Sequence, residues 1–204
     1  MPVSTKNDSR QKILEAAARL FNIQGYHATG LNQILKESGA PKGSLYYHFP
    51  NGKEQLAVEA VNRMAAEIEE DIMQAMNQYD HAVEALQFHI TKIANHFDGN
   101  DLLEGLPIGL LAAETSLMSE PLRKACKAAF EGWEKLYYEK MIEDGFSQEK
   151  AYRLSLLINS MIEGAITRSL TNLNGQPLLN VANCLTDLLT QSNQNLFGLL
   201  YRPV

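Results

Sequence analysis

The stretch from Lys42 to Phe49 concentrates side chains that can donate hydrogen bonds. On a helix, Leu45 and Phe49 lie four positions apart and can both face a core. The other faces then carry Lys42, Ser44, Tyr46, Tyr47 and His48. Such groups suit phosphates and base edges, and Gly43 lets a partner approach the backbone because it has no Cβ. The pattern favours a nucleic-acid reader, and a small helical subdomain with surface tyrosines remains the alternative.

Other reactive side chains are too dispersed for a catalytic or metal site. No GxSxG, Walker or HExxH motif occurs. His89 and His96 would lie ~10.5 Å apart along a helix axis, too far to share a zinc ion at ~2.0–2.1 Å from each nitrogen. Cys126 and Cys184 are too few for a disulfide scaffold. Cys126 lies between two lysines and is either a redox-responsive thiol or a silent buried one. The sequence predicts no enzyme, no cofactor and no metal site.

Charge is divided unevenly along the 204 residues. Residues 1–53 carry seven Lys or Arg against three acids, a net +4, whereas the rest carries 11 against 21, a net −10. A basic segment on an acidic body is expected of a modular phosphate binder, although so few charges could also divide this way by chance. The N-terminus lacks the apolar stretch of a secretory signal, and the longest nearly apolar run, 106–113, is far short of the ~20 residues of a membrane span. We expect a cytoplasmic protein with no membrane partner.

Apolar spacing is helical throughout and predicts an all-α fold of about nine helices. Helices are predicted over 8–24, 31–38, 41–49, from 53 onward, 81–97, a broken segment at 102–117, 119–144, 147–173 and 177–200. Gly25 is placed to end the first helix, and Gly39, Ala40 and Pro41 join the second and third with the spacing of a helix-turn-helix. Ser119 and Ser147 are predicted N-caps.

Several segments in the first 54 residues share one register: Ile13–Ala17, Leu20-Phe21, Gly25–Thr29, Ile34, Gly39, Gly43–Phe49 and Lys53-Glu54. Together they resemble the TetR/AcrR family of bacterial transcriptional regulators. The segments Phe49–Glu54, Pro107–Thr115 and Ser119–Arg123 are similar to its LmrA/YxaF-like subgroup. The resemblance implies a helix-turn-helix DNA-binding domain in residues 1–52 and a helical ligand-binding and dimerisation domain in residues 53–204.

The resemblance also implies a homodimer that binds a near-palindromic double-stranded operator, with repression as the commoner behaviour in the family and release by an effector. The DNA-contacting positions that it implies are Lys42, Gly43, Ser44 and Tyr46 near the bases, and Tyr47, His48 and Lys53 at phosphates. Family members often carry a second hydroxyl residue where this chain has Gly30. Thr29 therefore either supplies that phosphate contact or the contact is missing.

The last two predicted helices carry more apolar positions than one core-facing stripe requires. On the last helix, one line runs through Leu178, Val181, Leu185 and Leu188, and a second through Ala182, Leu189 and Leu196. With the apolar residues of the preceding helix, these lines could supply both an intrachain core and a self-complementary four-helix interface; the alternative is a core wholly within the chain. Those residues are Leu154, Leu157, Ile158, Met161, Ile162, Ala165 and Ile166. The predicted dimer interface comprises Leu154, Ile158, Ser160, Gly164, Thr167, Leu178, Val181, Leu185 and Leu188.

A ligand pocket is implied by the resemblance, and the composition of the body favours a small, mainly apolar effector. The candidate lining residues are Phe88, His89, Ile108, Leu111, Glu114, Phe130, Trp133, Tyr137, Asn159, Met161 and Glu163. Residues of these types are more often ordinary packing, and the helix break at Gly105-Leu106-Pro107 is the stronger hint. The alternative function is a helical dimeric scaffold whose basic segment binds a protein partner.

Overall fold

The computed structural model of the chain describes residues 6–97 and 108–190, and within these ranges it contains nine α-helices and no strand. The helices are α1 (Lys6–Ala28), α2 (Leu31–Ser38), α3 (Lys42–His48), α4 (Gly52–Gln78), α5 (Ala82–Asn95), α6 (Ile108–Thr115), α7 (Glu120–Glu143), α8 (Gln148–Asn172) and α9 (Gln176–Thr190). The predicted all-α fold is confirmed. The Gly105-Leu106-Pro107 break and Leu196 lie outside the described residues.

Helices α1 to α3 form a three-helix head in which α1 packs against both α2 and α3. The apolar face of α1 is buried at Ile13, Ala17, Leu20 and Phe21. It meets Ile34 of α2 and Leu45 of α3, which are themselves fully buried. The i, i+3, i+4 spacing of these side chains is what lets each helix turn one face inward.

Turn residues define how the head is connected. Gly39 ends α2 in the left-handed conformation, with φ 62° and ψ 13°. Pro41 was predicted in the first turn of α3 and lies one position earlier, as the N-cap of that helix. Gly30 is the N-cap of α2 and makes no side-chain hydrogen bond there, as expected of glycine. Gly25 does not end α1: it interrupts the helix, with φ 81° and ψ 172°, and the chain continues to Ala28.

The described residues divide into two compact units. One comprises residues 6–70 and 108–133, and the other comprises residues 71–97 and 134–190. These units do not follow the boundary after residue 52 that the sequence suggested. Helix α6 packs against α1 and is therefore in the same compact unit as the head. The division into residues 1–52 and 53–204 stays a prediction about function.

In the second unit, α9 packs against α5 and α8. Ser147 caps α8 as predicted, accepting the backbone N–H of Lys150. Gly175, just before α9, lies against α5 so closely that an added Cβ would stand 2.3 Å from the carbonyl oxygen of Ala94. No stretch of helix in the described part of the chain has the length and hydropathy of a membrane span.

Candidate nucleic-acid interface

Helix α3 buries one face and presents the other to solvent. Leu45 and the C-cap Phe49 are 0% exposed, whereas Tyr46 is 51% and Tyr47 66% exposed. Lys42 and Gly43 are exposed as well, and a Cβ at Gly43 would meet nothing within 4 Å. The helix is therefore held by two apolar anchors, and its two tyrosines lie on the exposed side.

An open groove of about 760 Å³ runs along the start of this helix. It is lined by Ser9, Lys12, Ser38, Gly39, Ala40, Pro41, Gly43, Ser44, Tyr47 and His48. The sequence predicted the α3 members of this set, but not Ser9 and Lys12, which α1 contributes. A groove with hydroxyl, lysine and imidazole groups on its walls suits a sugar-phosphate backbone.

The positive charge of the head is unevenly compensated. The guanidinium groups of Arg10 and Arg19 form ion pairs with Glu59 and Glu37, respectively. Lys42, at the start of α3, has no ion pair within the described ranges. Its charge therefore remains uncompensated at the position where phosphate or base contacts were predicted.

Two of the predicted DNA-contacting residues are engaged within the chain. Thr29 is buried, and its hydroxyl lies 2.7 Å from the carbonyl oxygen of Gly25 and 3.2 Å from that of Leu20. This hydroxyl stabilises the end of α1 rather than facing the surface. The Lys53 ammonium lies 4.3 Å from the centre of the Tyr26 ring. Partial burial lowers the pKa of Lys53, and the nearby Glu114 carboxylate opposes that shift.

Glu114, predicted from the sequence as a ligand contact, lies instead against the head. Its two carboxylate oxygens accept the backbone N–H groups of Tyr26 and His27, at 2.8 and 2.6 Å. These residues are separated by almost 90 positions in the chain, so sequence spacing held no sign of the contact. The only local signal was Gly25, whose conformation leaves the following N–H groups free to meet a side chain.

The other predicted ligand residues are divided between the two compact units. Ile108, Leu111, Phe130 and Trp133 belong to the first unit, and Phe88, His89, Tyr137, Asn159, Met161 and Glu163 to the second. In the first unit, Trp133 donates its indole N–H to the carbonyl of Ala65 and packs edge-on against Phe130. In the second, the Asn159 amide donates to Glu134.

His89 and Tyr137 form a buried polar pair in the second unit. The Tyr137 hydroxyl lies 3.1 Å from Nε2 of His89, while Nδ1 of His89 is buried with no hydrogen-bond partner among residues 6–97 and 108–190. Burial lowers the pKa of His89 to about 4 and raises that of Tyr137. Both groups are therefore neutral at pH 7. A buried polar atom without a partner is a place where a ligand or water is expected.

The predicted dimer residues are also of two kinds. Leu154, Ile158, Leu178 and Leu185 are buried within the single chain, at 8% exposure or less, because α9 packs against α5 and α8. They belong to the core of the chain and have little surface to offer a partner, which corrects that part of the expectation. Ser160, Gly164 and Thr167 are exposed, and Val181 and Leu188 are half-buried.

The sequence reasoning missed two apolar residues exposed on α8. These are Tyr152, 62% exposed, and Leu156, 37% exposed. Tyr152, Leu156, Ser160 and Gly164 follow one another at intervals of four, so they form a single row along the helix. The i+4 spacing from Ser160 and Gly164 was the signal that could have found them.

These features define a helix-turn-helix DNA-binding protein, and comparison with known proteins agrees. Residues 13–60 match the family described as bacterial regulatory proteins, tetR family. Residues 82–184 match the C-terminal domain of transcriptional regulators of the LmrA/YxaF-like type. The first match covers most of the head and the start of α4, and the second covers α5 to α8 and part of α9.

Whole-chain similarity extends this result. The chain is 54% identical to the HTH-type transcriptional regulator YxaF of Bacillus subtilis, over 88% of this chain and 94% of that protein. It is equally identical to LmrA of the same organism, over 89% and 97%. A TetR transcriptional regulator from Chloroflexus aurantiacus has the same fold, with a TM-score of 0.78 at 27% identity over 93% of this chain and 98% of that chain. The chain belongs to the TetR family of DNA-binding transcriptional regulators.

Proposed function

We propose that the chain is a homodimeric repressor that reads a near-palindromic operator through α3 and is released by a small, mainly apolar effector. The observation that carries the proposal is the division of α3, with Leu45 and Phe49 buried and Tyr46 and Tyr47 exposed. The base-proximal positions proposed are Lys42, Gly43, Ser44 and Tyr46, and the phosphate contacts are Tyr47, His48 and Lys53. Thr29 is left out because its hydroxyl is buried within the chain. As a transcriptional regulator, the protein is proposed to act on the chromosome in the cytoplasm and to have no catalytic role.

The dimer is proposed to form through the exposed row on α8. Tyr152 and Leu156 supply apolar area, and Ser160 and Gly164 are small enough to let a second helix approach. A Cβ at Gly164 would meet nothing within 4 Å, so this end of the row is open. A two-fold pair of α3 helices could then enter successive major grooves ~34–36 Å apart.

The DNA contacts are tested with a duplex that the parent protein selects from a random pool. Lys42→Ala and Tyr46→Ala are each expected to weaken binding at least about tenfold, since a good base contact contributes ~1–3 kcal/mol. Their melting temperatures should be close to that of the parent, because neither side chain is buried. Lys127→Ala removes an equal charge from α7 and should bind as the parent does. Unchanged footprints for both α3 variants would remove α3 as the reading helix.

The dimer surface is tested with Ser160→Arg. A long cation in the middle of the α8 row should separate the subunits and abolish operator binding, as measured by sedimentation and gel shift. Ala128→Arg, on an exposed position of α7, serves as the control. A Ser160→Arg protein that remains dimeric would place the interface elsewhere.

The effector is proposed to contact Nδ1 of His89. This nitrogen is buried without a partner in the part of the chain that the structure describes, and the lowered pKa of His89 keeps its imidazole neutral at pH 7, which suits an uncharged ligand. Small molecules retained by the protein from a cell extract can be identified by mass spectrometry. His89→Phe should lose them and still bind the selected duplex, whereas His96→Phe, at an exposed histidine, should retain them. A retained molecule that leaves operator affinity unchanged would contradict release by that molecule.

A further inference from the structure

Residues at the end of α6 and just before α7 contact the three-helix head at one point and the start of α4, which follows the head, at another. At the first, the Glu114 carboxylate accepts the N–H groups of Tyr26 and His27. At the second, the Ser119 hydroxyl donates to the carboxylate of Glu54, in the first turn of α4, with the oxygens 2.6 Å apart. The segment from Glu114 to Ser119 is therefore attached both where α1 ends and where α4 begins.

The first attachment depends on the interruption at Gly25. In a continuous helix each N–H donates to the carbonyl four residues earlier. The backbone turn at Gly25 lets the N–H groups of Tyr26 and His27 point at Glu114 instead. A carboxylate that accepts two N–H groups forms charge-assisted hydrogen bonds, which are stronger than neutral ones. The glycine is also required by space, because a Cβ there would stand 2.8 Å from a Glu114 oxygen.

Aromatic contacts join the two attachments. The Tyr26 ring stacks on Phe21 within α1, with ring centres 5.7 Å apart, and the Lys53 ammonium of α4 lies 4.3 Å from the centre of the same ring. Residues Tyr26 and His27 lead directly into Gly30 and α2. A displacement of the Glu114 carboxylate would therefore be transmitted to the helices that carry the DNA-contacting residues.

We propose that Glu114 is a positioning residue for DNA binding, which holds each head in the orientation that a two-headed dimer needs on its operator. Glu114 touches no DNA; it acts through the end of α1. The inference rests on the proposed homodimer. Once one head is bound, the second binds as an intramolecular event, and its effective concentration depends on how well it is already oriented. Loosening the head at Tyr26 and His27 lowers that effective concentration without altering the surface of α3.

The test compares a full duplex with a half-site. The full duplex is the one that the parent protein selects from a random pool, and the half-site keeps one half of it with the other scrambled. Glu114→Gln retains the size of the side chain but replaces one acceptor oxygen with an amide donor facing an N–H. Glu131→Gln, at an exposed glutamate of α7, makes the same charge change away from the head.

Glu114→Gln is expected to bind the full duplex about tenfold more weakly than the parent and to bind the half-site within about twofold of it. Unaltered half-site binding shows that the head is folded and that α3 still reads its sequence. Glu131→Gln should match the parent on both duplexes.

Two results would overturn the inference: full-duplex affinity that is not reduced, or an equal loss on the full duplex and the half-site. The second would mean that Glu114 supports only the internal fold of the head. A parent protein that binds both duplexes equally would instead contradict the proposed two-headed reading, and the positioning role would fall with it.

Discussion

Replacing Gly25 with alanine perturbs the conformation and the packing of the α1 interruption together. With φ 81° and ψ 172°, the residue occupies a backbone region that is essentially restricted to glycine, and a side chain there costs about 1–3 kcal/mol. The new Cβ would also stand 2.8 Å from Oε2 of Glu114 and displace the carboxylate from its two N–H donors. Because Glu114 is half-buried, loss of its hydrogen bonds to these N–H groups should lower the free energy of unfolding by about 1–2 kcal/mol. The expected loss of unfolding free energy is about 3 kcal/mol.

Gly39→Ala provides the matched control for this change. Gly39 also has a positive φ, 62°, but a Cβ there would meet nothing within 4 Å. Its replacement should cost only the left-handed backbone conformation, about 1 kcal/mol. Urea unfolding followed by circular dichroism measures both losses on the same scale.

A double-mutant cycle separates the two contributions at Gly25. In a Glu114→Ala background the carboxylate is absent, so Gly25→Ala should lose only the backbone contribution. The coupling between the two substitutions is then about 1–2 kcal/mol. A Gly25→Ala loss that equals that of Gly39→Ala, or that is the same with and without Glu114, would refute the reasoning.

Four further predictions concern His81, His89, Tyr137 and Lys53. The hydrogen bond with Asp144 raises the pKa of His81 above 6.5. The interaction of His81 with Asp144 therefore stabilises the fold below that pH, and the stabilisation is lost as pH rises through the folded-state pKa of His81. His81→Ala should lower the free energy of unfolding, measured in urea, at about pH 6 and lower it less at about pH 8.5. Because the pKa of His89 is about 4 in the folded chain, the unfolded chain binds a proton at His89 at a higher pH than the folded chain does. The free energy of unfolding should therefore decrease between about pH 6.5 and pH 4, by up to about 3 kcal/mol. Tyr137→Phe should lower the unfolding free energy at pH 7 by about 1–3 kcal/mol, because Nε2 of His89 loses its partner. Lys53→Ala should weaken binding equally on all DNA sequences and flatten the salt dependence by about one unit.

Each of these has a clear contrary result. A His81→Ala effect that grows with pH would contradict the ion pair with Asp144, and a His89 ring that titrates near pH 6.5 by NMR would contradict its burial. Tyr137→Phe with unaltered stability would mean that the hydroxyl contributes nothing to the pair. A sequence-dependent loss for Lys53→Ala would assign it to base contact rather than to phosphate.

Local sequence signals predicted the head well because the helix-turn-helix is built from short-range rules. Apolar side chains three and four residues apart define which face of α2 and α3 is buried, and glycine at position 39 permits the left-handed turn between them. The observed position of Pro41, the N-cap of α3, is one residue before the first turn in which it was predicted. The exposed tyrosines of α3 followed from the same periodicity, since burying Leu45 and Phe49 leaves Tyr46 and Tyr47 outside.

The apolar lines of the last two helices show where periodicity stops being informative. A line of leucines indicates that a helix buries a face but not which surface covers it. Leu178 and Leu185 are covered by the chain itself, because α9 lies between α5 and α8. The row through Tyr152 and Leu156 is exposed only because no other helix of the described chain covers that side of α8.

The amino-acid sequence by itself determined the helices, most of their turns and which side chains α3 exposes, since these depend on neighbours within a few residues. Tertiary structure alone decided the contacts of Glu114 and the burial of Nδ1 of His89 away from any partner among the described residues. Both depend on groups brought together from distant parts of the chain: Glu114 meets N–H groups 87 and 88 positions away, and His89 meets Tyr137 across 48. Hydrogen bonds depend on distance and angle in space, and a one-dimensional pattern records neither for residues so far apart.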